Sequence, residues 1–192
     1  MQSLTSRETD HTIALLREQN ALLMNILGAL TKPKLGLHSD NPAGMKIYCN
    51  RQHGSLWYTL QNGEPVPVQA TALTGYLRGL TFERCTRRNK EVSKLLINIQ
   101  GDIPYLLECG SDTQFCKGIL AAVASLSPNQ LSNLLTISPQ PGDDDKVLFA
   151  RVFIGGQLIL TKYSEDSDWR DIAKQALANV KGANQDVVDQ PF

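Results

Sequence analysis

Aromatic and basic side chains interleave along one stretch of this 192-residue chain. Side chains alternate faces along a strand. If residues 72–87 are extended, Thr74, Tyr76, Arg78, Leu80, Phe82, Arg84 and Thr86 therefore share one surface. The turn that follows, Arg87, Arg88, Asn89 and Lys90, adds a cationic cluster beside it. Phe149, Arg151 and Phe153 repeat the pattern, opposite Leu148, Ala150, Val152 and Ile154, and Lys94 with Asn98 and Gln100 gives a third segment a polar, partly basic face. Trp57 and Tyr58 stand side by side and point to opposite faces of a strand, so one of them is expected outside. Flat π surfaces hold unpaired bases at about 1 to 3 kcal/mol each, and cations neutralise phosphates, so this constellation suits single-stranded nucleic acid. A bulge at Gly79 would reverse the parity, sending Phe82 inward while Tyr76 stayed outside.

The elements that must position these residues are mostly strands. Strands are expected at about 45–49, 55–60, 72–87, 94–100, 104–109, 134–138, 147–154 and 157–163, with an extended segment at 64–68 and turns at His53-Gly54, Asn62-Gly63 and Gly155-Gly156. A helix is expected over 112–125, ended before Pro128, an exposed loop over 139–145 and a short helix over 168–180, docked by Trp169. One long first strand, two more, a helix and a closing pair is the order of an OB-type Greek-key barrel. In that fold the long strand must bend, and Gly75 and Gly79 lie inside it. The fold class expected is therefore mainly β with flanking helices, an OB-fold-like barrel with an N-terminal helix; an open sheet with helices on one face is the alternative.

The N-terminal helix spans about 10–30 and places Ile13, Leu16, Asn20, Leu23, Leu27 and Leu30 at heptad spacing. A polar Asn at a seam position fixes register, so these residues are candidates for short coiled-coil self-association. The domain reading is an N-terminal helix in 1–31, a linker and hairpin in 32–66, an OB-like domain in 67–165, and a short helix with a polar tail in 166–192.

Composition bounds the function. Lys and Arg balance Asp and Glu at 19 each. Residues 41–100 nevertheless carry an excess of cations and residues 101–192 an excess of acids, as a cationic surface facing an anionic partner requires. No apolar run approaches the roughly 20 residues of a membrane span, and the first ten residues lack a signal-peptide pattern, so a cytoplasmic protein is expected. Cys49, Cys85, Cys109 and Cys116 fit neither paired zinc-ligand spacing nor a disulfide framework, and Asp143, Asp144 and Asp145 read as a solvated turn. There is no phosphate loop, metal helix or nucleophile elbow. No catalytic residue, metal or cofactor is expected.

The tail, Gly-Ala-Asn-Gln-Asp-Val-Val-Asp-Gln-Pro-Phe, closes on Asp189, Gln190, Pro191 and Phe192. It resembles the acidic tip of the bacterial single-stranded DNA-binding protein family, which typically reads Asp-Asp-x-Pro-Phe. Asp189, Pro191 and Phe192 match by position and Asp186 adds an acid, whereas Val187 and Val188 replace acidic positions. The resemblance implies an OB-fold protein that coats single-stranded DNA and uses Asp186, Asp189, Pro191 and Phe192 to recruit replication, recombination and repair enzymes. An OB-like protein–protein adaptor that binds no nucleic acid is the competing expectation.

Overall fold

A computed structural model describes residues 11–24, 44–87, 90–164 and 166–185. The chain forms two compact units, Met1–Asn41 and Pro42–Phe192. In the first, residues 11–24 are helical (α1), and Ile13, Leu16, Asn20 and Leu23 are all solvent-exposed. Leu27 and Leu30 lie outside the described residues. Among the described residues no helix is long and apolar enough to cross a membrane.

The second unit is mainly β. Its strands are β1 (Met45–Tyr48), β2 (Tyr58–Gln61), β3 (Glu64–Pro67), β4 (Leu73–Arg87), β5 (Lys90–Gln100), β6 (Pro104–Gly110), β7 (Leu135–Pro141), β8 (Leu148–Ile154) and β9 (Gln157–Leu158). Three helices accompany them: α2 (Gln114–Ser125), α3 (Pro128–Leu131) and α4 (Trp169–Ala183). All nine strands form one sheet in the order β3-β2-β1-β6-β5-β4-β7-β8-β9. The hairpin strands β1 to β3 thus continue the same sheet as the long strands. The β1–β6 pair is parallel and every other pair is antiparallel.

Two strand connections follow the turn chemistry of the sequence. Asn62 and Gly63 join β2 to β3, and Gly155 and Gly156 join β8 to β9, all four at positive φ. Strand β4 serves two ladders. Leu73 to Gly75 pair with β7, and Tyr76 to Arg87 pair with β5. A Cβ at Gly75 would stand 2.5 Å from Ile99 Cγ2 and 2.6 Å from the Gln100 carbonyl, so only glycine allows the strands to meet there. A register shift between Leu77 and Gly79 makes Arg78 the bulged residue.

The core lies on one face of this bent sheet. Leu77, Leu80, Leu95, Ile97, Ile99, Leu107, Ile137 and Val152 bury against Phe115, Ile119, Leu120 and Val123 of α2. Thr113 caps α2 by accepting from the Cys116 amide, and Asp168 caps α4 by accepting from Arg170 and Asp171. Asn179 of α4 ties the two helices: its Nδ2 donates to the carbonyls of Leu126 at 2.7 Å, Ala124 at 3.1 Å and Val123 at 3.2 Å. Those carbonyls lie at the end of α2, where the helix supplies no further amides, although Val123 also accepts from the Leu126 amide at 3.3 Å.

The sheet is open, and the expected barrel closure is not made. β1 lies parallel on β6 and occupies the ladder that a closing strand would need. A clip takes the place of closure: Arg51, after β1, donates to the carbonyls of Asp144 at 2.9 Å, Gly142 at 3.4 Å and Val147 at 3.5 Å, and meets Asp145 Oδ1 at 3.3 Å. The expected loop at 139–145 is therefore shorter, because β7 runs on through Pro139 and Pro141. These prolines are tolerated because β7 has no β4 partner beyond Ile137, so the missing N–H groups leave no ladder broken on that side. The expected strand at 157–163 stops at Leu158 instead. Tyr163 packs edge-on to Trp169 with centroids 5.3 Å apart, which draws the chain off the sheet edge toward α4.

Replacing Asn179 with Ala leaves buried carbonyls at the end of α2 without a donor, at a cost of about 1 to 3 kcal/mol. Urea denaturation monitored by circular dichroism should show that loss, and an unchanged midpoint would mean the side chain ties nothing.

Candidate nucleic-acid interface

The face of the sheet opposite the core carries the candidate site. Alternation along β8 works as the sequence implies: Leu148 and Val152 are buried, while Phe149, Arg151 and Phe153 point the other way. Across the ladder these three pair with Gln140, Ser138 and Thr136 of β7. Thr136 in turn faces Thr74 of β4, their hydroxyls 2.8 Å apart. Tyr76, two residues further along β4, is 40% exposed and stands beside Gln100 of β5. From strand spacing, Tyr76 and Phe153 lie about 12 Å apart. The Arg78 guanidinium sits 5.1 Å from the Tyr76 ring centroid and donates to Asn184 Oδ1 at 3.2 Å. Asn184 also donates to the Leu77 carbonyl at 3.1 Å, so the segment after α4 is fixed beside the bulge.

The polar residues Thr136, Ser138 and Gln140 were not singled out in the sequence, although their period-two spacing signals one strand face. Lys46 was also missed. Together with Lys94 it grips Glu108, at 2.7 Å and 3.2 Å. Burial pushes the Glu108 carboxyl up, but hydrogen bonds and charge from Lys46 and Lys94 outweigh it and hold it below the ordinary glutamate range. Lys94 is on the outer face as expected, with its ammonium engaged in this pair.

Several expected members lie elsewhere. The bulge at Arg78 reverses the parity, so Phe82 pairs with Leu95 and Arg84 with Ser93 on the helix-facing side, away from Tyr76. Trp57 and Tyr58 do point to opposite sides, yet neither is outside. Trp57 is 1% exposed and donates from Nε1 to the Ala70 carbonyl at 2.8 Å. Tyr58 is 5% exposed, stacked on Tyr48 and met edge-on by His53, so the β1–β2 connection covers the outer side of the sheet there. Arg87 and Lys90 face each other at the end of the β4–β5 hairpin, about 35 Å along the strand from Tyr76, so the cationic turn does not adjoin the aromatic face. Arg88, Asp186, Asp189, Pro191 and Phe192 lie outside the described residues.

Other chemistry finds little support. Cys49, Cys109 and Cys116 are buried; contact with Cys116, and then burial, push the Cys109 thiol up, and burial does the same for Cys49. Among the described residues no group of three or more His, Cys, Asp or Glu side chains is arranged to hold a metal ion.

The Glu108 cluster gives a pH prediction. A carboxyl with a depressed folded-state pKa stabilises the fold above its unfolded value and loses that contribution as pH falls through the folded value. Glu108→Gln should therefore be less stable than the parent at pH 7, with the difference fading as the pH drops below about 4. Denaturation midpoints across that range check it; a constant difference would mean that the lysines do not act on this carboxylate.

Compared with family models, with curated proteins and with solved structures, the chain matches none.

Proposed function

We propose that this chain binds single-stranded DNA with little sequence preference on the outer face of β5, β4, β7 and β8. One observation carries the reading: Phe149, Arg151 and Phe153 lie in a row on the side of β8 away from the core, with Tyr76 and Arg78 on the same side of the sheet. Bases stack on the exposed rings, and Arg78 and Arg151 meet the phosphates. The hydroxyls of Thr74, Thr136 and Ser138 and the amides of Gln100 and Gln140 offer hydrogen bonds between the rings. Stacking discriminates weakly among bases, which is why the preference is low.

The order β6-β5-β4-β7-β8, with α2 between β6 and β7, supports an OB-like reading of these five strands despite the open sheet. The cationic end of the β4–β5 hairpin, about 35 Å along the strand from Tyr76, offers a separate phosphate contact to a strand long enough to reach both. Exposed Ile13, Leu16 and Leu23 on α1 support self-association through that helix. The acidic tail then recruits replication, recombination and repair enzymes to the coated strand in the cytoplasm. The protein acts by sequestration and hand-over, with no catalytic step.

Leu158 pairs with Phe153 on the same face, and Leu160 is 85% exposed beside it. That apolar extension favours the second reading, a protein–protein adaptor without nucleic acid. Salt separates the two, because phosphate neutralisation makes affinity fall steeply with ionic strength and an apolar interface is far less sensitive.

A fluorescently labelled oligo-dT of about 35 nucleotides, long enough for several OB-sized sites, should bind tightly at low salt and less well at moderate salt, in preference to duplex DNA. Tyr76→Ala, Phe149→Ala and Phe153→Ala should each weaken it by about 1 to 3 kcal/mol. Reversing the charges of Arg87, Arg88 and Lys90 should weaken it further and flatten the salt dependence, with the fold intact by circular dichroism. Absence of binding at low salt would overturn the nucleic-acid reading and leave the adaptor.

A further inference from the structure

The bulge that turns Phe82 to the helix side also gives it a place in a groove of about 280 Å³. Phe82 and Ser93 line this groove from the β4–β5 hairpin, Trp169 and Arg170 from the first turn of α4, Lys117 from α2, and Ser111 from the turn between β6 and α2. Its size stands at the lower end of the roughly 300 to 1,000 Å³ of small-molecule sites. Phe82 is 38% exposed although it faces the helices, and among the described residues its ring meets no other aromatic ring. Tyr163, outside the groove, meets Trp169 edge-on with centroids 5.3 Å apart and braces the indole. Two aromatic side chains from different elements therefore reach one opening without packing on each other.

The cations around this groove are uncommitted. Lys117, 5.3 Å from the Trp169 ring centroid, and Arg170 enter no ion pair among the described residues, whereas Lys46, Lys94, Arg51 and Lys174 all do. Arg84 shares the Phe82 face about 7 Å along the strand and is likewise unpaired. The carboxylates next to Arg170 in the chain are engaged elsewhere: Asp168 accepts from the Arg170 and Asp171 amides, and Asp171 meets Lys174 at 3.2 Å. Ser93 and Ser111 add hydroxyls, and a 3.0 Å bond from the Ser111 amide to the Ser93 carbonyl holds these two residues together.

We propose that this groove is a nucleotide site, with the base between Phe82 and Trp169 and the phosphate on Arg170 and Lys117. Aromatic walls with free cations at the rim complement a flat ring that carries an anion, and a nucleotide joins the two in one molecule. Arg170 presents a planar fork suited to phosphate oxygens. Lys117 adds a point charge on a flexible stem that reaches the phosphate from beside the indole. The Ser93 and Ser111 hydroxyls bond the base edge or the sugar, and because a hydroxyl both donates and accepts, they discriminate little among bases. A free mononucleotide and one unit of a DNA strand present the same groups to this site. The inference does not rest on the outer-face reading, since neither Tyr76 nor β8 takes part.

Thymidine monophosphate titrated into the full chain tests it, with tryptophan emission excited at the red edge of indole absorption as the readout. Trp57 is 1% exposed inside the core, so quenching reports on Trp169. Quenching is expected with a Kd on the order of 0.1 to 1 mM, weakened about fivefold or more in Phe82→Ala. Arg170→Glu, at an exposed position, should weaken the monophosphate by a similar factor and leave the weaker binding of thymidine, which has no phosphate, unchanged. Oligo-dT separates the two sources. Quenching by the oligonucleotide that Phe82→Ala diminishes assigns the site to a unit of the strand, and quenching by the monophosphate alone assigns it to free nucleotides. Tyr76→Ala should lower oligo-dT affinity and leave monophosphate quenching as it is, so this inference and the outer-face reading fail separately. No quenching by oligo-dT or by about 5 mM monophosphate, or equal binding by the Phe82→Ala or Arg170→Glu chains with their circular dichroism intact, would overturn the site.

Discussion

The fold depends on one strand that serves two ladders. β4 gives its first three residues to β7 and the rest to β5, so it must bend between them. Gly75 permits the close approach at that point, and the extra residue at Arg78 absorbs the change of direction. Both halves of the sheet can then wrap one core, roofed by α2. The same bulge divides the aromatic residues of β4, leaving Tyr76 on the outer face and turning Phe82 toward the helices. The two surfaces to which function is assigned thus follow from a single irregularity.

An open sheet of this size has edges to manage and a seam to hold. At one edge β3 carries Pro65 and Pro67, which cannot donate to an added strand. At the other, β9 is only two residues long. The seam is held by side chains rather than by a ladder, since Arg51 reaches three carbonyls of the β7–β8 connection. Asn179 performs a similar task between helices by supplying donors to the end of α2. Each is one polar side chain that adds donors to backbone carbonyls at a loop or a helix end.

Ion pairing redistributes the charge of the chain. Of the cations in residues 41–100, Lys46 and Lys94 are spent on Glu108, and Arg51 on the loop before β8. Those that remain for ligands, Arg78 and Arg151 on the outer face and Arg84, Lys117 and Arg170 around the groove, come from both the basic and the acidic halves of the sequence. A count along the chain therefore located the excess but not the surface that carries it.

Local rules were legible in the sequence. Asn62-Gly63 and Gly155-Gly156 set their turns, alternation set the two faces of β8, and the helices near 112–125 and 168–180 were marked, because each depends on neighbours within a few residues. Pairing was not legible. That β1 would lie on β6 and leave the sheet open, that His53 would cover Tyr58, and that β7 would run through two prolines all depend on which distant strand stands alongside. The parity of β4 belongs to both levels. Its glycines announced a bend, but the position of the bulge, and with it the side on which Phe82 and Arg84 project, was decided by the register of β4 against β5. Backbone propensity acts over a turn, whereas register is fixed only when the two apolar faces must meet in one core.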